Sequence, residues 1–364
     1  MGSALQKVDA RMNFLLRRKN RKLRLRGIER ERRSESGSGR SIDAMDNCGD
    51  ATTYCCAECG EEGVVSLKAC KSCMLVKYCN TKCQRNHWAK HKKSCKRRAA
   101  ELRDEALFKD PPAKEDCPIC FLPMPLKIIT CVSLPPATIS SVPIYDFAEA
   151  NEELVDEHVE VYYPCCGKSV CIGCICSFHE SGNNDKCPFC KAERTGKTNE
   201  EEVEGLMKRV EANDAAAIFI LGNSYHKGLL GLPQDLTKAM ELYTWAVNLG
   251  YSKAHCILGD IYEGVDLKKA KFHKEAAAMA GYEMARYNLG GMELRSRNME
   301  RAVKHWTIAA SSGCFKSMHN LQVALKNGHV STESIHSTLT AYNNSCAEMR
   351  SEARESYIRL KINN

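Results

Sequence analysis

The sequence predicts a multidomain chain in which two small, cysteine-built modules precede an all-α helical-repeat solenoid. Two observations carry this prediction. The chain has 22 cysteines in 364 residues, and 19 of them fall between Cys48 and Cys190. From about residue 214 the composition turns to Ala, Leu and Gly, and a short motif recurs. A chain of this length accommodates two or three domains.

Most of the clustered cysteines form Cys-x2-Cys pairs. The pairs are Cys56/Cys59, Cys70/Cys73, Cys117/Cys120, Cys171/Cys174 and Cys187/Cys190. Such a pair can place two thiolates on one tetrahedral zinc ion, at about 2.3 Å from each sulfur. A disulfide framework is the alternative. The N-terminus lacks the apolar segment and cleavage site of a signal peptide, and no stretch approaches the roughly 18 apolar residues of a membrane helix. We therefore expect a chain of the cytoplasm or nucleus, reduced thiols and about four zinc ions.

Residues 1–40 are strongly basic, with 13 Lys/Arg and four Asp/Glu. The run RRKNRKLRLR would place a charge on every side of a helix, which predicts a disordered, solvated tail without a buried face. A nuclear import signal, or a contact for nucleic acid or acidic lipid, is the alternative interpretation.

The first module, at residues 56–95, has eight candidate ligands. They are Cys56, Cys59, Cys70, Cys73, Cys79, Cys83, His91 and Cys95. Forty residues cannot form a real hydrophobic core, so bound metal must supply the folding free energy, on the order of 10 kcal/mol per site. The string KYCNTKCQRNHWAKHKKSC resembles the MYND-type zinc finger in its steps Tyr78-Cys79, Cys83-Gln84 and His87-Trp88.

The resemblance implies two interleaved zinc sites. Cys56, Cys59, Cys79 and Cys83 would hold one ion, and Cys70, Cys73, His91 and Cys95 the other. The set is complete without His87, which we expect to pack or to support a ligand. In the family this finger docks short proline-containing peptides. Seven Lys/Arg and no acid lie between Gln84 and Arg98, so an acidic partner or nucleic acid is a further possibility beside a solvated helix face.

The second module, at residues 117–191, resembles a RING-type zinc finger. Its ligands would be Cys117, Cys120, Cys171 and Cys174 at one site, and Cys165, Cys166, Cys187 and Cys190 at the other. Two features depart from the pattern. Lys168 stands where a ligand histidine is usual, so the adjacent Cys165 and Cys166 must both coordinate. A 44-residue gap precedes Cys165 and carries seven acids and no Lys/Arg between Asp146 and Glu160, which predicts an exposed loop. Cys131 and Cys176 are unassigned and are possible substitute ligands.

RING domains often recruit a ubiquitin-conjugating enzyme without a catalytic nucleophile of their own. The resemblance places the contacts to that enzyme at Ile119, Phe178, Pro188 and Lys191. Lysine is the weaker choice at the last position, because arginine can grip two acceptors at once. The alternative is that the apolar residues of this set pack around the metal sites. The sequence leaves both interpretations open.

The repeat region spans residues 214–345. Its motif is Leu-Gly at Leu221, Leu258 and Leu289, with a fainter copy at Leu321. Three Ala–Ala–Gly sets follow, namely Ala239/Ala246/Gly250, Ala270/Ala277/Gly281 and Ala302/Ala309/Gly313. Each unit reads as a helix, a turn, a second helix and a left-handed glycine. The pattern resembles Sel-one-like repeats, relatives of tetratricopeptide repeats, which implies a concave groove for a protein or peptide.

Residues 346–364 are expected to form a charged C-terminal helix. Cys256, Cys314 and Cys346 stand alone in the repeat region and its end, which favours buried core thiols. The three modules together predict a zinc-binding interaction adaptor. The alternatives are a RING-type ubiquitin ligase with the repeats as substrate receptor, and a nucleic-acid-associated transcriptional regulator.

Overall fold

A computed structural model of the chain describes residues 8–19, 55–60, 67–124, 160–193 and 198–362. The chain divides into two compact units. Residues 20–109 form one unit, and residues 1–19 together with 110–364 form the other. The predicted fold class is confirmed: cysteine-rich modules precede a region of stacked helices. The second module and the solenoid share one unit, whereas the first finger is a unit of its own.

The elements are numbered here in chain order. The strands are β1 (Lys68–Ala69), β2 (Lys77–Tyr78), β3 (Glu160–Tyr163) and β4 (Lys168–Cys171). The helices are α1 (residues 8–19), α2 (Thr81–Leu107), α3 (Ile172–Glu180), α4 (Asn199–Glu211), α5 (Ala215–Lys227), α6 (Leu236–Asn248), α7 (Ser252–Glu263), α8 (Leu267–Met279), α9 (Glu283–Arg295), α10 (Met299–Ser311), α11 (Phe315–Lys326), α12 (Thr332–Glu348) and α13 (Glu352–Ile362).

The first finger combines a minimal hairpin with a long helix. β1 and β2 are antiparallel, with Lys68 opposite Tyr78 and Ala69 opposite Lys77. α2 begins after Asn80, whose side chain accepts hydrogen bonds from the backbone N–H groups of the second and third residues beyond it. This N-cap satisfies two donors that the first helical turn leaves unpaired.

The second module has a β-hairpin followed by a short helix. β3 and β4 are antiparallel, with Tyr162 opposite Ser169. α3 follows β4 directly, and the core between them contains Tyr163, Val170 and Ile175 together with ligand cysteines. Residues 125–159 of the 44-residue insertion, with Cys131 among them, lie outside the described residues.

The solenoid stacks helix pairs as the repeated motif predicts. The four motif leucines are buried, and so are the six alanines of the Ala–Ala–Gly sets. Gly250, Gly281 and Gly313 have φ values of 89°, 89° and 91°, in the left-handed region that favours glycine. Cys256, Cys314 and Cys346 are buried thiols, as the sequence predicts. No helix in the described part of the chain has both the length and the apolar composition needed to span a bilayer.

The glycine of the Leu-Gly motif permits close helix contact. A Cβ atom on Gly290 would lie 2.2 Å from Nε1 of Trp306, so α9 and α10 approach at a distance that only glycine allows. A Cβ atom on Gly222 would lie 2.9 Å from the Tyr243 ring. The glycines of the motif therefore contribute to the helix contact together with the buried alanines.

The prediction of a disordered tail over residues 1–40 is wrong for residues 8–19, which form α1. Val8, Met12 and Leu16 recur every four residues, and all three are buried in the hydrophobic cluster of the first repeat. Phe14 points away and is 63% exposed. The spacing produces an apolar stripe on one face of a helix. The basic run on which the prediction was based follows this stripe, at residues 17–26, and residues 20–40 lie outside the described part of the chain.

Polar contacts fix α1 on the solenoid. Arg11 donates to Glu204 at 3.0 Å and to Glu211 at 2.7 Å. Asp9 accepts from the Tyr225 hydroxyl at 2.9 Å and from the Lys238 ammonium at 2.7 Å. The helix therefore covers the first end of the stack, although the finger separates it from the repeats in sequence.

The outer edges of the repeat region also differ from the prediction. α4 precedes residue 214, and its Val203, Leu206, Met207 and Val210 are buried in the same cluster as the first repeat. α12 continues beyond residue 345 to Glu348, and the C-terminal helix begins only at Glu352. The capping box of Thr198 and Glu201 fixes the start of α4.

Candidate metal centres

The structure brings all sixteen predicted ligands together in four groups of four. Within each group, the candidate ligand atoms lie within 4.8 Å of one another. The groups are Cys56/Cys59/Cys79/Cys83, Cys70/Cys73/His91/Cys95, Cys117/Cys120/Cys171/Cys174 and Cys165/Cys166/Cys187/Cys190. These are the interleaved and cross-braced sets that the two resemblances imply. Neither Cys55 nor Cys176 belongs to a group.

The distances within the groups fit zinc. A tetrahedral ion with Zn–S bonds of about 2.3 Å separates its sulfurs by about 3.8 Å. The observed Sγ–Sγ distances are 3.6 Å (Cys59–Cys79), 3.7 Å (Cys70–Cys95), 4.0 Å (Cys117–Cys174), 3.9 Å (Cys120–Cys171), 3.7 Å (Cys166–Cys187) and 3.4 Å (Cys165–Cys190). Four protein ligands per group complete a closed structural site with no position for a reactive water.

Four of the five Cys-x2-Cys pairs share one backbone turn. The residue after the second cysteine is left-handed, with φ of 72° at Gly60, 58° at Met74, 56° at Phe121 and 63° at Lys191. Its N–H donates to the carbonyl of the first cysteine at 2.9 to 3.0 Å. The turn aims both sulfurs at one point. The fifth pair uses the first turn of α3 instead.

In the two turns of the finger, hydrogen bonds favour the thiolate form of the first cysteine. Burial raises the pKa of Cys70, but hydrogen bonds from the N–H groups of Ser72 and Cys73, together with the side chains of His91 and Cys73, outweigh that effect and lower the pKa to about 6. Burial acts in the same way on Cys56, and donors that include the N–H of Cys59 lower its pKa to about 7. Because zinc binds the thiolate, these hydrogen bonds prepare the finger for the metal.

Aromatic and polar neighbours orient the histidine ligand. Nε2 of His91 lies 3.2 Å from Sγ of Cys73, and its Nδ1 lies 3.3 Å from the Ser94 hydroxyl. His87 is outside the ligand groups, as expected, and its ring stacks on His91 with centroids 5.7 Å apart. Nδ1 of His87 is 3.0 Å from the buried Tyr78 hydroxyl. A ligand imidazole whose second nitrogen is hydrogen-bonded keeps its orientation.

Three supporting residues of the finger are absent from the sequence prediction. They are Ser94, Asn80 and Gln84. The Asn80 amide donates to Sγ of Cys79 at 3.2 Å while its oxygen caps α2. The Gln84 amide lies 3.8 Å from Sγ of Cys70. An Asn directly before a predicted helix is a recognisable N-cap signal. Gln84 belongs to the Cys83-Gln84 step of the family pattern, which does not indicate its contact with Cys70, and nothing in the sequence indicates the Ser94 contact.

The adjacent ligands Cys165 and Cys166 lie in a tight turn after β3. The Gly167 N–H donates to the Tyr163 carbonyl at 2.8 Å, and Gly167 is left-handed with φ of 70°. This turn lets neighbouring cysteines face one group. Lys168 is not a ligand, and its ammonium lies 5.6 Å from the centre of the exposed Phe189 ring.

The four expected contacts to a conjugating enzyme differ in exposure. The Lys191 ammonium lies 4.4 Å from the centre of the Phe178 ring, which makes a cation–π pair. Ile119 is 37% exposed. Pro188 is buried, so its side chain supports the turn and offers little contact surface.

The RING-like module is fixed on the solenoid through polar contacts. The Tyr162 hydroxyl donates to Asp214 at 2.7 Å, and Arg209 donates to the carbonyls of Pro164 and Cys165 at 2.8 and 3.0 Å. Lys114 reaches across the later repeats and donates to the Ser312 carbonyl at 2.7 Å. These contacts explain why the two parts form one compact unit.

Comparison with known proteins supports two of the three modules. Residues 55–95 match the family model of the MYND finger. A 129-residue stretch is 30% identical to a putative sel1-like repeat-containing protein of Acanthamoeba polyphaga mimivirus, covering 33% of this chain. The match spans only 23% of that relative's length.

Two solved structures are also similar. A Sel1 repeat protein from Oxalobacter formigenes matches with 24% identity and a TM-score of 0.36, over 42% of this chain and 65% of its own. A protective antigen of uropathogenic Escherichia coli with an SLR fold matches with 20% identity and a TM-score of 0.33, over 50% and 42%.

MYND fingers and Sel1 repeats are protein-interaction modules, and the finger binds zinc. The two all-cysteine groups that lie outside the finger in the described residues can hold zinc as well. The class of protein that these matches support is a zinc-binding protein-interaction scaffold.

Proposed function

We propose that this protein joins two or more partner proteins in the cytoplasm or nucleus, with the finger binding a proline-containing peptide and the solenoid binding a second protein. The observation that carries the proposal is the division of the chain into two compact units, of which one contains the finger and the other contains the solenoid. The closed ligand groups give the metals a structural role, so recognition falls to the surrounding side chains.

The finger displays three exposed apolar side chains that suit such a peptide. Met74, Leu75 and Trp88 are 65%, 44% and 42% exposed. Proline-rich segments dock on aromatic surfaces at low entropic cost, because their extended conformation is already formed. Trp88 also provides a fluorescence signal for binding. The chain's other tryptophans, Trp245 and Trp306, are only 6% and 3% exposed, so a peptide on the surface should change the emission of Trp88 alone.

The full-length protein is titrated with a library of proline-containing peptides while its tryptophan emission is recorded. Binding should shift the emission to shorter wavelength, and Trp88→Phe should remove that shift. Leu75→Ala should weaken binding, whereas the matched change Leu236→Ala, 46% exposed on the solenoid, should leave it unchanged. Equal weakening by both leucine variants would refute the assignment of the peptide site to the finger.

The second candidate function is ubiquitin transfer through the RING-like module. The observation in its favour is the pairing of Lys191 with Phe178 at 4.4 Å on the module's surface, together with the exposed Ile119. A cation held at this position could hydrogen-bond the conjugating enzyme's ubiquitin thioester and restrict it to reactive geometries. The chain itself would contribute no nucleophile.

This candidate is tested with ubiquitin, activating enzyme, ATP and a panel of conjugating enzymes. Chains that form with the wild type should be lost with Ile119→Ala and retained with Val323→Ala, a solenoid control that is 44% exposed in the wild type. Lys191→Arg should raise the rate, because the guanidinium can grip two acceptors. If no conjugating enzyme of the panel produced ubiquitin chains while zinc was fully bound, this candidate would be refuted and only the scaffold function would remain.

A further inference from the structure

Arg354, near the start of α13, is fully buried at 0% exposure. Its guanidinium contacts a metal ligand of the RING-like module. Nη1 donates to the carbonyls of Met349 and Pro123 at 2.7 and 3.0 Å. Nη2 lies 3.5 Å from Sγ of Cys120, across 234 residues of sequence. A residue from the C-terminus thus reaches the group formed by Cys117, Cys120, Cys171 and Cys174.

The charge of Arg354 requires a partner. Arginine remains protonated in proteins, and a buried cation without a counter-charge is strongly unfavourable. Among the described residues, no carboxylate forms an ion pair with Arg354. Four thiolates around one Zn²⁺ carry a net charge of −2, and charge-assisted hydrogen bonds to such sulfurs are stronger than neutral ones. The metal centre is therefore the natural counter-ion.

Helix packing holds the guanidinium in place. A Cβ atom on Gly173, in the first turn of α3, would lie 2.7 Å from the backbone nitrogen of Arg354, so α3 and α13 are in close contact. Tyr357 of α13 and Ile172 of α3 pack against the same hydrophobic cluster, whose buried core includes Met349. α3 also carries Cys174, so the helix that supplies a ligand is the helix that α13 covers.

We propose that Arg354 is the counter-ion of the zinc centre at Cys117, Cys120, Cys171 and Cys174, and that zinc in this centre holds the C-terminal helix on the RING-like module. The coupling is reciprocal by linkage: undocking α13 weakens zinc binding at this centre, and removing that zinc releases α13. Arg354 is a positioning residue for the metal, and this role is additional to the scaffold function.

The test follows zinc release from the full-length, zinc-loaded protein to a chelator, with alkylation of each cysteine mapped by mass spectrometry. Arg354→Met should release one ion per chain about 10- to 100-fold faster and should expose the four cysteines of this centre first. Arg354→Lys should restore part of the loss, because it keeps the charge. Arg359→Met is the matched control, since Arg359 is on the same helix with its side chain 68% exposed.

A steric variant undocks the helix without changing any charge. Gly173→Ala places the new Cβ against the Arg354 backbone and should reproduce the selective zinc release. Gly205→Ala is its control, because the nearest atom to that Cβ, in Pro164, is at an ordinary 3.5 Å. The backbone amides of residues 352–362 should lose their protection from hydrogen exchange when zinc is removed from this centre. They should stay protected when zinc is removed from the finger.

The other three centres are internal references that distinguish local coupling from unfolding. Faster release of all ions together in Arg354→Met, or release at the wild-type rate, would overturn the proposal. Unchanged protection of α13 after removal of this one ion would overturn it as well. In the cobalt-substituted protein, Arg354→Met should also shift the thiolate charge-transfer band, which a purely packing role would leave in place.

Discussion

Replacing Met12 with alanine tests whether the N-terminal helix is part of the folded solenoid. Met12 is 0% exposed and lies in the cluster that also contains Leu206, Leu221 and Trp245. Truncating a fully buried methionine removes transfer free energy and leaves a cavity, which together cost about 2–5 kcal/mol. The ion pairs of Arg11 add little, because its side chain is 39% exposed and such pairs contribute about 0–1 kcal/mol.

The matched control is Phe14→Ala on the same helix. Phe14 is larger than Met12 but 63% exposed, so its removal should change the free energy of unfolding by less than about 0.5 kcal/mol. Urea unfolding followed by pulsed hydrogen exchange of residues 199–248 reports the repeats next to α1. A lower midpoint with an unchanged m-value is expected for Met12→Ala only. Equal midpoints for both variants would refute the docking of α1 and would support the prediction of a solvated tail.

Three further predictions concern the solenoid and the finger. Gly290→Ala should cost more than about 2 kcal/mol, because its Cβ would lie 2.2 Å from Trp306, whereas Gly291→Ala, with its nearest neighbour at 3.7 Å, should stabilise by up to about 1 kcal/mol in thermal unfolding. Burial lowers the pKa of His305 from 6.5 to about 3. Above pH 6.5 this histidine is neutral in both states. As the pH falls below 6.5, the unfolded chain binds a proton that the folded chain excludes, so stability drops by about 1.4 kcal/mol per pH unit. His305→Gln should flatten that slope between pH 6.5 and 5, and an unchanged slope would contradict the assignment. Cys79→Ser should abolish hydrogen-exchange protection in the finger and leave α5 to α11 protected, and loss of both together would show that the two units do not fold independently.

The ligand groups and the repeats could be predicted because each rests on short-range pattern. A Cys-x2-Cys pair specifies its own turn, and the recurring leucines, alanines and glycines specify their own helix contacts. The adjacent Cys165 and Cys166 departed from the usual spacing, yet a left-handed Gly167 brings both sulfurs to one group.

The positions of α1 and α13 depend on contacts between distant parts of the chain. Both helices lie in charged segments, and their charge pattern is typical of solvated residues, so the sequence does not indicate that they are docked. α1 is bracketed by basic residues, so the charge pattern of RRKNRKLRLR obscured the stripe of Val8, Met12 and Leu16. Arg354 lies in a charged segment typical of a solvated helix, and only the fold shows its contact with Cys120. A buried arginine cannot be recognised from sequence until its counter-charge has been located.

The number of zinc ions per chain shows whether this protein is a scaffold built around four closed metal centres. Native mass spectrometry of the full-length protein, purified in the presence of zinc, measures this number without reference to any partner. Four bound ions are expected. Two ions, with the cysteines of the RING-like module open to alkylation, would contradict this expectation.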